Sequence, residues 1–135
     1  MNSVERAELV AYKMSRAKET LAEVEVQINN KLFHTAVNRL YYACFYAVSA
    51  LLLNNEIKAR KHSGVKQMFG LHFISTGRIN EELGSFYTNI FNKRQKGDYE
   101  DFVYFTADEI IDLSIPAGKL ISRIEEILSE NKDTD

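Results

Sequence analysis

Two short clusters hold the residue types that chemistry would need: Arg60-Lys61-His62-Ser63-Gly64 and Arg94-Gln95-Lys96-Gly97-Asp98-Tyr99. Each joins cations to a proton carrier or a hydrogen-bonding group. In a functional reading, Arg94 and Lys96 hold a phosphate while His62, with an unperturbed pKa of about 6.5, moves a proton near neutrality. Tyr99 suits a different task. A phenol with a reference pKa of about 10 stays protonated, so it donates a hydrogen bond or receives a modification rather than acting as a base. In a structural reading the first cluster is a solvated connector with a helix cap. The cations Lys93, Arg94 and Lys96 of the second then complement the negative end of a helix. A further set, Thr35, Arg39, Tyr42 and Tyr46, recurs at helical spacing. There Arg39 either pairs with Asp98 or another carboxylate and locks two helices, or lines a nucleotide pocket with stacking tyrosines.

Other chemistries lack their residues. The chain has no Gly-rich phosphate loop followed by Lys-Ser/Thr and no paired cysteine, and His34, His62 and His72 are too scattered for a helix-borne metal site. Neither a metal nor a cofactor is expected.

The elements that must position these clusters are helices. At about 3.6 residues per turn, Phe33, Ala36, Val37, Leu40, Cys44, Ala47, Val48 and Leu51 share one broad face of a segment running from Asn30 to Asn54. Tyr41 and Phe45 fill the gap between that face and the Arg39-Tyr42-Tyr46 stripe. A helix apolar or aromatic all round is central in a bundle, spans a membrane or meets a partner, and Asn38 and Arg39 in mid-run disfavour the membrane. This segment is therefore expected to be contacted on nearly every side.

Around it, a first helix capped by Asn2 carries Val10, Met14, Ala17, Leu21, Val24 and Ile28 on one stripe, with Glu5 returning the capping bond. Asn29-Asn30 breaks it, and the two helices should pack antiparallel. A connector over 54–61 leads to a shorter helix capped by Ser63 and closed by Gly77. Asn80 caps the next, whose buried side is Leu83, Phe86, Tyr87, Ile90, Phe91 and Arg94, ending at Gly97-Asp98. Thr106 and Glu109 open the last helix, which Pro116 should kink or restart near Ser114.

With 135 residues, 45% of them hydrophobic, the chain is long enough for one core. A single domain over 1–130 with a polar tail over 131–135 is expected. Lys and Arg total 17 against 19 acidic residues, so a net charge of -2 gives no blanket reason for nucleic-acid binding, and any such role needs a local patch. Cys44 has no partner for an intramolecular disulfide, and residues 1–12 lack the continuous apolar run of a signal peptide, which together suit the cytoplasm.

Three stretches taken together resemble the small prokaryotic HEPN-domain proteins: Ala36-Val37-Asn38-Arg39-Leu40-Tyr41-Tyr42-Ala43-Cys44-Phe45-Tyr46-Ala47, Lys61-His62-Ser63-Gly64-Val65, and Arg94-Gln95-Lys96-Gly97-Asp98-Tyr99. The resemblance implies an all-α, up-and-down bundle of four to five helices, commonly a homodimer. It also implies work beside a minimal nucleotidyltransferase as a toxin–antitoxin or defence pair. Many members of that superfamily are metal-independent ribonucleases using an Arg followed four to six residues later by a His. Arg94 matches the Arg, whereas Tyr99 stands five residues on and no His follows His72. In some family pairs a nearby tyrosine receives nucleotide, a role Tyr99 or Tyr104 would fill here.

The resulting expectation is a dimeric partner of a minimal nucleotidyltransferase, binding nucleotide or RNA through Arg39, Tyr42, His62, Arg94 and Asp98 without strong catalysis of its own. One alternative is a metal-independent endoribonuclease toxin in which Arg94, His62 and Tyr99 are the catalytic candidates. Another is a structural adaptor with no ligand.

Overall fold

The computed structural model describes residues 1–100 and 103–133, and among them the chain is all helical with no strand. Helix α1 spans Ser3–Asn29. The Asn2 side chain accepts from the Glu5 amide at 2.8 Å, which answers one of the free donors at the helix start. The return bond differs from expectation, because Glu5 accepts from the Asn2 side-chain amide at 2.9 Å instead of the cap's backbone. Val10, Met14, Ala17 and Val24 are buried, with Leu21 half-buried. Thr20 joins them fully buried, its hydroxyl without a hydrogen-bond partner among the described residues.

The chain reverses through Lys31, at φ 60°, and α2 runs Phe33–Asn54, three residues later than the expected start. Helix α2 is the centre of the bundle. It packs most extensively on α1 and also touches the three later helices, α3 (Lys61–Phe69), α4 (Glu81–Tyr99) and α5 (Ala107–Asp133). By length and composition α2 could cross a membrane, yet most of it is covered by the other helices. The coverage is not complete. Asn38, Arg39, Tyr42, Phe45, Tyr46 and Ser49 form one stripe that this chain leaves half-buried, so the expectation of contact on nearly every side fails along that flank.

Helix α3 begins earlier than the sequence suggests. Arg60 is extended and Lys61 takes φ 60°, which turns the chain before Ser63, so Ser63 lies inside the first turn and no side chain caps the helix. A single π turn over Gly70–Ile74 follows, and Gly77, at φ +80°, ends the segment as expected. Asn80 then accepts from the Leu83 amide at 2.9 Å to open α4.

Helix α4 does not stop at Gly97-Asp98 but continues to Tyr99. A Cβ on Gly97 would sit 3.0 Å from Phe105 Cε2 and 3.5 Å from His34 Nδ1, so the glycine permits close helix packing instead of making a turn. Thr106 Oγ1 accepts from the Glu109 amide at 3.1 Å to open α5. That helix passes through Pro116 without a restart. Leu113 and Ala117 are anchored in the core on either side, and the carbonyl that Pro116 leaves unpaired belongs to exposed Asp112, where water can satisfy it. Residues 134 and 135 of the expected polar tail lie outside the described residues.

Candidate functional site

The residues singled out on three separate segments meet on the half-covered flank of α2. Helix α2 supplies Arg39, Tyr41, Tyr42 and Phe45; the first turn of α3 supplies His62; the last turns of α4 supply Arg94 and Asp98. Three-to-four-residue spacing on α2 places Tyr42 and Phe45 on one side, and Arg94 and Asp98, one turn apart on α4, face them.

Arg94 is the pivot. Its guanidinium lies 5.5 Å from the ring centres of both Tyr41 and Tyr42, and its side chain is only 15% exposed. Its one hydrogen bond to the described residues is long, 3.4 Å from Nη2 to the Tyr42 hydroxyl. Asp98 Oδ2 stands 2.9 Å from Nε, close enough for an ion pair, but the buried Nε–H is not aimed at it and makes no aligned hydrogen bond. A guanidinium has five N–H donors, so most of its donor capacity is unspent.

Arg39 approaches the same Tyr42 ring, with 5.2 Å to the centroid, and donates to Asn38 at 2.9 Å. The proposed Arg39–Asp98 pair is therefore replaced by Arg94–Asp98: the carboxylate sits one turn beyond Arg94 on its own helix, while Arg39 lies over the tyrosine ring. Further along α2, Arg16 of α1 lies 5.5 Å from the Tyr46 ring, which itself neighbours Tyr42 at 6.2 Å. The flank is thus a row of rings interleaved with guanidinium groups.

His62 closes the other end. Its ring stacks on Phe45 at 4.3 Å and 19°, and its Nδ1 lies 2.7 Å from the Tyr41 hydroxyl. Burial, reinforced by the Arg94 charge, holds the imidazole pKa below its ordinary value, so His62 is neutral at pH 7. Burial pushes the Tyr41 hydroxyl up to about 12, and the same cause raises Tyr87 beside it well above the ordinary phenol value. Tyr41 therefore keeps its proton at any physiological pH. With Nδ1 tied to Tyr41, Nε2 is the nitrogen left to exchange with a ligand.

Tyr99 and Tyr104 lie elsewhere, 78% and 79% exposed and absent from this network of contacts. Among the described residues no group of His, Cys, Asp or Glu is arranged to hold a metal ion. Sequence reasoning missed Tyr41, which looks like a core filler on the helical wheel although its hydroxyl links His62 to the ring cluster. The only signal for it was an aromatic adjacent to both stripes.

The HEPN domain family model matches residues 10–132, which takes in every element of this site. The chain belongs to the HEPN-domain family. A UPF0332 protein of Thermotoga maritima is 39% identical over 128 residues, covering 95% of this chain and 97% of the relative. A protein of Methanocaldococcus jannaschii named "Putative toxin" is 38% identical over 114 residues, 84% of each chain. A second "Putative toxin" of that organism is 38% identical over 96 residues, covering 71% of this chain and 65% of the relative. In this HEPN domain Arg94 is largely buried, and Tyr99, five residues on, faces solvent. What the cluster can do chemically is offer an anion the unspent donors of Arg94 and offer one neutral imidazole nitrogen.

Proposed function

We propose that this HEPN domain is a dimeric cytoplasmic partner of a minimal nucleotidyltransferase that binds a nucleotide or RNA end without strong catalysis of its own. The observation that carries the reading is Arg94: a largely buried guanidinium with one 3.4 Å hydrogen bond and an off-axis carboxylate is an anion site awaiting its acceptor. The phosphate sits against Arg94 and Arg39, and the base stacks on Tyr42. The second subunit packs on the rest of the half-covered α2 stripe, at Tyr46 and Ser49. Exposed Tyr99, next to Asp98, is where the partner enzyme would attach nucleotide.

The test is thermal unfolding with added nucleotides and short RNA, for wild type and Arg94→Ala. A ligand selective for the folded state raises the wild-type Tm and not the variant's; no shift with any of them refutes the reading and favours an adaptor. One observation favours an endoribonuclease as the second reading, since His62 is neutral and shares the Tyr41 ring with Arg94. In that case purified protein cleaves mixed RNA, and both Arg94→Ala and His62→Ala abolish the cleavage.

A further inference from the structure

The hydroxyl hydrogen of Tyr41 has few places to go. Tyr41 is fully buried, and among the described residues the one polar group it bonds is His62 Nδ1, at 2.7 Å. That length is typical of a hydroxyl donor and short for an N–H donor, so it favours Tyr41 donating to the ring nitrogen over accepting from it. The reverse arrangement carries a second cost. With the hydrogen on Nδ1, Tyr41 would have to turn its own hydrogen toward Tyr87, whose ring stacks on it at 6.1 Å. Tyr87 is fully buried too, and its hydroxyl has no aligned partner among the described residues, so its hydrogen would be stranded in the core. When Tyr41 donates to Nδ1, its oxygen is instead free to accept from Tyr87, and each buried hydroxyl hydrogen has an acceptor to turn to.

The far side of the imidazole is open. One face is stacked on Phe45, and the ring forms part of the wall of a groove of about 1080 Å³ between the start of α1, the end of α2 and the connector into α3. Since Nδ1 is turned inward to Tyr41, Nε2 is the nitrogen left to this groove. The charged lining there is Arg6, Lys13, Lys58, Arg60 and Lys61 against one carboxylate, Glu56, which is already paired with Arg6 at 2.9 Å. An N–H at that edge adds to the attraction for an anion, whereas a bare nitrogen would present its lone pair and oppose it.

We infer that Tyr41 is a positioning residue that fixes neutral His62 with its hydrogen on Nε2, so that His62 serves as a hydrogen-bond donor to an anionic oxygen and not as a proton acceptor. A general base needs a bare nitrogen turned to the ligand, and in this tautomer the bare nitrogen is the one held by Tyr41. The inference deepens the binding reading proposed above and rests on it only for the ligand, a phosphate oxygen. The tautomer is a property of the free protein.

The experiment is nitrogen NMR of the full chain carrying 15N-histidine at about pH 8, above the imidazole range. The chain has three histidines, and the His62→Gln spectrum identifies which signals belong to His62. In wild type, Nε2 is expected at the shift of a protonated nitrogen and Nδ1 at that of a bare nitrogen accepting a hydrogen bond. In Tyr41→Phe, with folding checked by circular dichroism, the two signals move toward the averaged values of a free imidazole. Hydrogen on Nδ1 in wild type overturns the inference whether or not the variant folds. A pure Nε2–H form that persists in folded Tyr41→Phe overturns it as well, because Tyr41 would then be structural only.

A phosphate titration of the same proteins reads the donor role. A side-chain amide places an N–H where Nε2–H stood, so His62→Gln should keep most of the wild-type affinity for inorganic phosphate. His62→Ala should lose about tenfold or more, the usual worth of a hydrogen bond to a charged group. Equal losses in both variants refute the donor role. Wild type that shows the expected tautomer but binds no phosphate refutes the anion reading of the site and leaves the Tyr41–His62 assignment standing.

Discussion

Replacing Arg94 with methionine should make the protein more stable while removing its anion response. The side chain is 15% exposed, rests on two tyrosine rings, and makes a single 3.4 Å hydrogen bond. Methionine keeps the length and the apolar contact of the stem. What is lost is two cation–ring contacts at about 0.5–1 kcal/mol each and one helical ion pair worth about 0.3–0.5 kcal/mol. What is recovered is the desolvation of a guanidinium, several kcal/mol for a fully buried ion and about 3 here after discounting for residual exposure and the Tyr42 bond. Asp98, 32% exposed, keeps its hydration. The net expectation is a gain of about 1 kcal/mol, or about 3–5 °C in Tm for a domain of this size. Urea unfolding monitored by circular dichroism measures it, provided the m-value is unchanged. A loss exceeding about 1 kcal/mol would refute the argument, because it would mean that Arg94 is a structural clasp whose donors are well used.

Three further outcomes follow from the same coordinates. His62 has its pKa lowered by burial and by Arg94, so its contribution to stability is complete above about pH 6.5 and is lost as pH falls through the depressed folded value. An NMR titration should place its midpoint below that of a free imidazole, Arg94→Ala should raise it, and His62→Gln should flatten the acid limb of the Tm profile. Thr20→Val removes a buried hydroxyl that has no partner among the described residues and should stabilise by about 1 kcal/mol in urea titration; destabilisation would indicate a hidden acceptor. Lys31, at φ 60° in the α1–α2 turn, should tolerate glycine with a gain of up to about 1 kcal/mol, read as a higher Tm; a fall would show that the turn depends on the lysine side chain.

The helical layout was legible because the apolar residues of α1, α4 and α5 recur at steps of three and four, and because Asn2, Asn80 and Thr106 are small polar caps ahead of such stripes. Ser63 misled since a backbone turn at Lys61 starts α3 first, and Gly97 misled since a glycine required for contact with Phe105 resembles one required for a turn. Pro116 suggested a break that core anchoring on both sides prevents. Of the site, Tyr42, His62, Arg94 and Asp98 converge as the sequence suggested. Which carboxylate meets which guanidinium was not legible, because Asp98 serves Arg94 through a helical turn that the sequence seemed to end. Tyr41 was hidden for a related reason: periodicity reports which face a side chain occupies but not what its hydroxyl meets.

Two guanidinium groups share the Tyr42 ring, at 5.2 and 5.5 Å from its centroid. Like charges gathered around one ring repel, and a multivalent anion bound beside either of them offsets that repulsion. The choice of buffer therefore becomes an experimental variable. In phosphate or sulfate the pair is partly neutralised before any nucleotide arrives, so apparent affinities will be weakened by competition, whereas a chloride or acetate medium of equal ionic strength leaves the arginines to the ligand.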